Sequence, residues 1–175
     1  MPDAMSPIAR SSTRPSPAVA AIALAAVFGA ANWLGTRHSP TPDHPRTRRW
    51  YKRLDKPDFT PPDPVFGIAW PAIEAGMAWG GYRLLRAPSS ASRNTALALL
   101  AVNTGMIGGW SELFFGKKAL GASALASAGM VGSGIGYVAA ASRTDRTAAA
   151  AGLPFVAWVG FATLIAADVW RRNRA

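Results

Sequence analysis

A chain of 175 residues fits one domain, and with half its residues hydrophobic and only 16% charged it is poorer in charge than the roughly 25% of soluble domains. It has no cysteine, which excludes disulfides, thiolate metal sites and cysteine nucleophiles. Nineteen Lys and Arg against 9 Asp and Glu give a net charge of +10, but the positive residues cluster between long uncharged segments; that layout suits an anionic membrane surface and argues against nucleic acid, which favours a basic stripe with interleaved aromatics.

Residues 1–17 hold Pro2, Pro7, Pro15 and Pro17 with Arg10 and Arg14, and read as a disordered polar tail. An uncharged, alanine-rich segment over 18–35 follows, with Trp33 near its end. Two readings fit it: the apolar region of a signal peptide, or a short first membrane helix with an interfacial tryptophan. A long connection rich in Pro and Arg then runs to Pro64. Its first half, 36–49, has the composition of a solvated linker. The second half carries Trp50, Tyr51, Leu54 and Phe59, too many large side chains for a linker, with Pro57, Pro61, Pro62 and Pro64 to stiffen it.

Four further apolar segments lie over 65–86, 95–115, 119–141 and 148–170, joined by short connections. Each is about 20 residues, enough at 1.5 Å per residue to cross a hydrocarbon core of about 30 Å. The fold class predicted is all-α: a bundle of five membrane helices over 18–175 with a long structured first loop. With five spans, Lys and Arg are more numerous on the side of the first loop and the C-terminal tail, which puts the C-terminus in the cytoplasm. That balance depends on counting the long first loop.

At 100° per residue, Phe66, Trp70, Ile73, Glu74 and Met77 share one face of the second segment. Asn103, Met106, Ile107, Trp110 and Phe114 share one of the third, and Pro154, Trp158, Phe161, Ala162 and Ile165 one of the fifth. These aromatic faces either fill the bundle core or line a cavity where a flat apolar ligand stacks on indoles. Gly76 and Gly80, Gly105 and Gly109, and Gly132 and Gly136 are spaced for close helix contact, the Gly105/Gly109 pair being the candidate subunit interface. Glu74 falls deep in its segment, where an ionisable group marks a cavity or a partner. Asp168 has Arg171 and Arg172 at ion-pair spacing. No phosphate-binding, zinc-protease or serine-hydrolase motif occurs, and His38 and His44 lack a third ligand fixed nearby, so no metal or other cofactor is expected.

Trp50-Tyr51, Leu54, Lys56-Pro57, Pro61-Pro62, Phe66, Trp70, Trp110-Ser111, Leu113 to Gly116, Pro154, Trp158-Val159 and Phe161-Ala162 occur in the order of a known pattern. Over residues 18–173 the chain resembles the tryptophan-rich sensory protein / translocator protein family (TspO/MBR, peripheral benzodiazepine receptor type). The resemblance implies five retained helices in an integral membrane protein of a bacterial cell membrane. It also implies a pocket lidded by the first loop that takes porphyrins, sterol-like molecules or synthetic aromatics, commonly in a homodimer. Together with the helical faces above, this gives the candidate ligand-binding set Trp50, Tyr51, Pro61, Phe66, Trp70, Glu74, Met77, Asn103, Ile107, Trp110, Phe114, Trp158, Phe161 and Ala162. A binding or sensory role follows. The alternatives are a light-dependent porphyrin-degrading enzyme using Trp70 and Trp158, and a scaffold with a vestigial pocket. The chain departs from the pattern where the family has a tyrosine (here Glu74), a glutamine (Asn103) and asparagines (Ile107, Ala166), so several polar handles are replaced. A weak steroid-recognition pattern can also be drawn through Val131, Tyr137 and Arg143.

Overall fold

The computed structural model describes residues 14–174, so most of the predicted N-terminal tail lies outside the described residues. The described chain forms six α-helices and no strand. Helix α1, Pro17–Thr36, starts where the Ser16 hydroxyl accepts from the Val19 amide at 3.2 Å and Pro17 needs no partner for a missing N–H. Helix α2, Pro45–Arg53, lies inside the first connection. The expectation of an irregular linker is corrected there: Pro45 stands at the first helical position, where proline starts a helix instead of breaking one.

Helix α3, Asp63–Arg86, begins behind Pro62 and runs on through Pro71. Helix α4, Ala91–Ser111, is capped by Ser90, which accepts from the Arg93 amide at 3.1 Å, and passes directly into a π-helical turn, Glu112–Gly116. Lys118, at φ 56°, swings the chain into α5, Leu120–Ser142. Asp145 caps α6, Arg146–Arg172, accepting from the Ala148 amide at 2.9 Å.

Among the described residues, four stretches are long and apolar enough to cross a membrane: α1, α4 with its π-turn, α5 and α6. Helix α3 has the length, with 24 residues giving about 36 Å, but Pro71, Glu74 and its closing arginines dilute its apolar character. The outer surface is apolar, with Ile22, Ile68, Leu125 and Leu164 between 63% and 74% exposed. Such a surface suits lipid.

The long helices close a ring in the order α1, α3, α6, α5, α4, each packed on the next. One end of the ring is tight. Tyr137, fully buried on α5, donates to the Ala148 carbonyl at 3.2 Å. A Cβ at Gly80 would come within 2.6 Å of its hydroxyl oxygen, and one at Gly152 within 2.5 Å of its ring. The steroid-type pattern through Tyr137 therefore has no accessible tyrosine. Beside this knot Arg83 and Asp145 pair at 2.8 Å, joining the end of α3 to the start of α6 and holding the Asp145 carboxyl below its usual range.

The Gly152→Ala protein should melt lower, by an overpacking cost of about 1–3 kcal/mol. Gly129→Ala, where an added Cβ meets nothing within 4 Å, should hold or raise the melt, since alanine favours a helix interior over glycine. Thermal unfolding in detergent compares them, and equal melting temperatures would refute the tight knot.

Candidate functional site

At the opposite end the ring opens around a cavity of about 480 Å³, within the range of small-molecule sites. Its walls come from the C-terminal end of α1 (Ala31, Asn32, Gly35, Thr36) and the N-terminal half of α3 (Phe66, Gly67, Trp70, Pro71, Glu74). Helix α4 and its π-turn add Ile107, Trp110, Ser111, Phe114 and Phe115, α5 adds Ser127 and Met130, and α6 adds Val159, Ala162, Ile165, Ala166 and Val169. The first loop covers the mouth with Ser39, Pro40, Thr41, Tyr51 and Lys56.

The π-turn explains how two consecutive residues, Phe114 and Phe115, both reach this site. A π-turn carries an extra residue per turn and rotates side chains off the α-helical register, and such turns often occur at functional sites. Trp110 stacks on Phe114 at 4.7 Å between ring centroids, and its indole donates to the Ser123 carbonyl at 2.9 Å, which fixes the ring. From the lid, Trp50 meets Phe114 edge-on at 5.8 Å and Tyr51 meets Phe115 at 5.6 Å. The Lys56 ammonium lies over the Tyr51 ring at 4.4 Å. Desolvation lowers the Lys56 pKa, and burial pushes the Tyr51 phenol up to about 12.

Of the residues chosen from sequence, Tyr51, Phe66, Trp70, Glu74, Ile107, Trp110, Phe114 and Ala162 share this cavity wall. Trp50 and Phe161 sit behind it, against Phe114 and Phe59 respectively. Pro61 lies in the lid away from the wall. Met77 is fully buried in the core below, and Asn103 is fully buried with its carbonyl oxygen accepting from Ser133 at 2.5 Å. Trp158 does not reach the wall: its ring packs on Phe66 at 5.5 Å, and its indole nitrogen is buried without a hydrogen-bond partner among the described residues. The helical-face argument fails at these positions because it fixes a direction but not a depth.

Sequence reasoning missed Asn32. Its side-chain amide donates to the Glu74 carboxylate, joining α1 to α3 across the cavity. The available signal was that Asn32 is the single strongly polar side chain in 18–35. His38, read as a linker residue, pairs with Glu112 at 2.6 Å and ties the loop to the π-turn. Asn173, past the end of α6, accepts from the Asp55 amide at 3.1 Å and donates to the Asp55 carbonyl at 2.9 Å, so the C-terminal segment clasps the lid. No group of three or more potential metal ligands converges among the described residues.

A ring of long helices enclosing an aromatic, loop-covered cavity defines a helical membrane protein with a lidded pocket. The chain belongs to the TspO/MBR family, whose model matches residues 19–171. It is 28% identical over 133 residues to the human protein named "Translocator protein", covering 74% of this chain and 78% of that one. The pig protein of the same name is 30% identical over 129 residues, covering 71% and 75%. The sheep protein, also so named, is 27% identical over 131 residues, covering 72% and 76%.

Two outcomes test the lid. Asn173→Ala removes the clasp's side-chain bonds, each worth about 0.5–1.5 kcal/mol, and should raise tryptic cleavage within 46–53 by about tenfold. Cleavage at the parental rate would mean the clasp does not hold the loop. For Tyr51, raised from 10.0 to about 12, the docked state favours the neutral phenol. Its contribution is complete below pH 10 and is lost as pH rises towards 12. Tyr51→Phe should therefore shrink the fall in melting temperature over that range; an equal fall in both proteins would count against the burial of Tyr51.

Proposed function

We propose that this is a membrane-embedded binding or sensory protein for a planar hydrophobic ligand of porphyrin or sterol type. The observation that carries the reading is the cavity itself, about 480 Å³ in volume, walled by Trp70, Trp110, Phe66 and Phe114 beneath an aromatic lid. Stacking on indole and phenyl faces rewards flat apolar molecules. A lid stiffened by Pro57, Pro61 and Pro62 loses little entropy on closing.

In this reading α3 is the fifth span. Its length and its place between α1 and α6 support that assignment, since the ring would otherwise be open in mid-membrane. The Lys and Arg of the first loop and C-terminal tail favour a cytoplasmic C-terminus. Gly105 and Gly109, where an added Cβ would meet nothing within 4 Å, leave a small-residue face on α4 for a second copy in a homodimer.

Titration with protoporphyrin, read by quenching of tryptophan fluorescence, should saturate, and Trp70→Phe should weaken it by about tenfold, the scale of one lost stacking contact. Absence of saturable quenching would favour a scaffold with a vestigial pocket, a reading to which Ile107 and Ala166 in the wall lend weight. The enzymatic alternative is favoured by Trp70 in the wall and demands that bound porphyrin be consumed under light, with loss of that consumption in Trp70→Phe.

A further inference from the structure

We propose that the cavity selects a planar hydrophobic molecule bearing a basic nitrogen, and that this nitrogen seats at Glu74. The inference rests on the ligand-binding reading above and assigns the chemistry of the ligand's inner end. Glu74 is 8% exposed and forms part of the cavity wall. One carboxylate oxygen, Oε2, accepts from the Asn32 amide. The other, Oε1, has no hydrogen-bond partner among the described residues, and it is not among the fully enclosed polar atoms. Oε1 is thus a free acceptor with some accessible surface, on a side chain that lines the cavity.

The charge around it points the same way. Among the lining residues there are two acids, Glu74 and Asp63, and one base, Lys56. Lys56 lies in the lid with its ammonium over the Tyr51 ring. A chain of net charge +10 thus lines its cavity with a net excess of acid. No Lys or Arg lines the α1–α3 seam where Glu74 sits, so Asn32 supplies the carboxylate's only protein donor among the described residues. Trp70 lies one turn before Glu74 on the same helix face and also lines the cavity, offering a ring to a cation or a flat ring system.

A protonated amine arriving at Oε1 gives the half-satisfied carboxylate its missing donor and an opposite charge. A neutral amine meeting a protonated Glu74 takes that proton and reaches the same ion pair. A carboxylate placed there meets like charge, and is better accommodated at the mouth near Lys56. An alcohol supplies a donor without the charge.

Three matched flat probes separate these cases: 1-pyrenemethylamine, 1-pyrenemethanol and 1-pyrenecarboxylate. Binding is read by energy transfer from tryptophan to pyrene, with the full chain in phosphatidylcholine nanodiscs and empty nanodiscs as the partition control. The amine should bind at least about tenfold tighter than the carboxylate. Glu74→Gln keeps an acceptor for Asn32, and should weaken the amine by about tenfold while changing the alcohol by less than about twofold. Asn32→Ala, which frees the carboxylate to move, should weaken the amine several-fold with the alcohol again little changed, and serves if Glu74→Gln does not fold. Equal affinity for amine and carboxylate, or equal losses for amine and alcohol in both variants, would overturn the assignment while leaving the cavity a binding site. Failure of all three probes to bind saturably would overturn the ligand-binding reading and this inference with it.

Discussion

The burial of Tyr137 between two glycines sets how the bundle can fill itself. The ring needs the space that a side chain at Gly80 or Gly152 would take, and its hydroxyl is satisfied by reaching the Ala148 carbonyl. At that end α3, α5 and α6 close directly on the buried ring, and the Arg83–Asp145 pair adds a polar tie between α3 and α6 beside the knot. Phe66 and Trp70 of α3 and Trp110 of α4 lie towards the other end, around the cavity. Small residues draw helix backbones together, whereas tryptophan and phenylalanine hold them apart. The cavity is the complement of the tight end.

An open end in such a bundle needs a cover, and the π-turn supplies the surface on which the cover rests. By shifting register at Glu112–Gly116 it presents Phe114 and Phe115 together, so that Trp50 and Tyr51 have edge-to-face partners. The Trp110 hydrogen bond to Ser123 couples the same aromatic cluster to α5. His38 on Glu112 and Asn173 on Asp55 hold the loop from two further directions. The lid is thus fixed by aromatic contacts facing the cavity and by polar contacts at its rim.

The all-α class and the placing of the long helices were legible because apolar segments of bilayer length, separated by short polar breaks, leave few other solutions. Trp70, Trp110 and Phe114 were legible from helical periodicity. What periodicity could not supply was depth and register. Met77 shares a face with Trp70 but lies in the sealed core, and Trp158 shares one with Ala162 but packs behind Phe66. Phe115 reaches the wall only because a π-turn breaks the α-helical spacing that the face argument assumes. Helix α2 was hidden by its own proline, which reads as a breaker until its position as the first helical residue is known. The Asn32–Glu74 contact joins residues 42 apart, and no local pattern encodes such a pairing.

That contact also changes how the replaced polar positions should be understood. Ile107 and Ala166 put apolar side chains on the α4 and α6 sides of the wall where the family pattern has asparagines, which taken alone suggests a pocket that has lost means of orienting a ligand. Polarity has instead moved to the seam between α1 and α3, where Asn32 and Glu74 face the same space. With α3 as the fifth span proposed above, a charged carboxylate at that depth costs about 2.5–3.5 kcal/mol on insertion scales, and one amide donor offsets only part of that. In a merely space-filling wall an apolar side chain would be more stable at position 74. The acid fits better where a ligand completes its hydrogen bonding, because the partner that relieves the carboxylate is also the partner that binds.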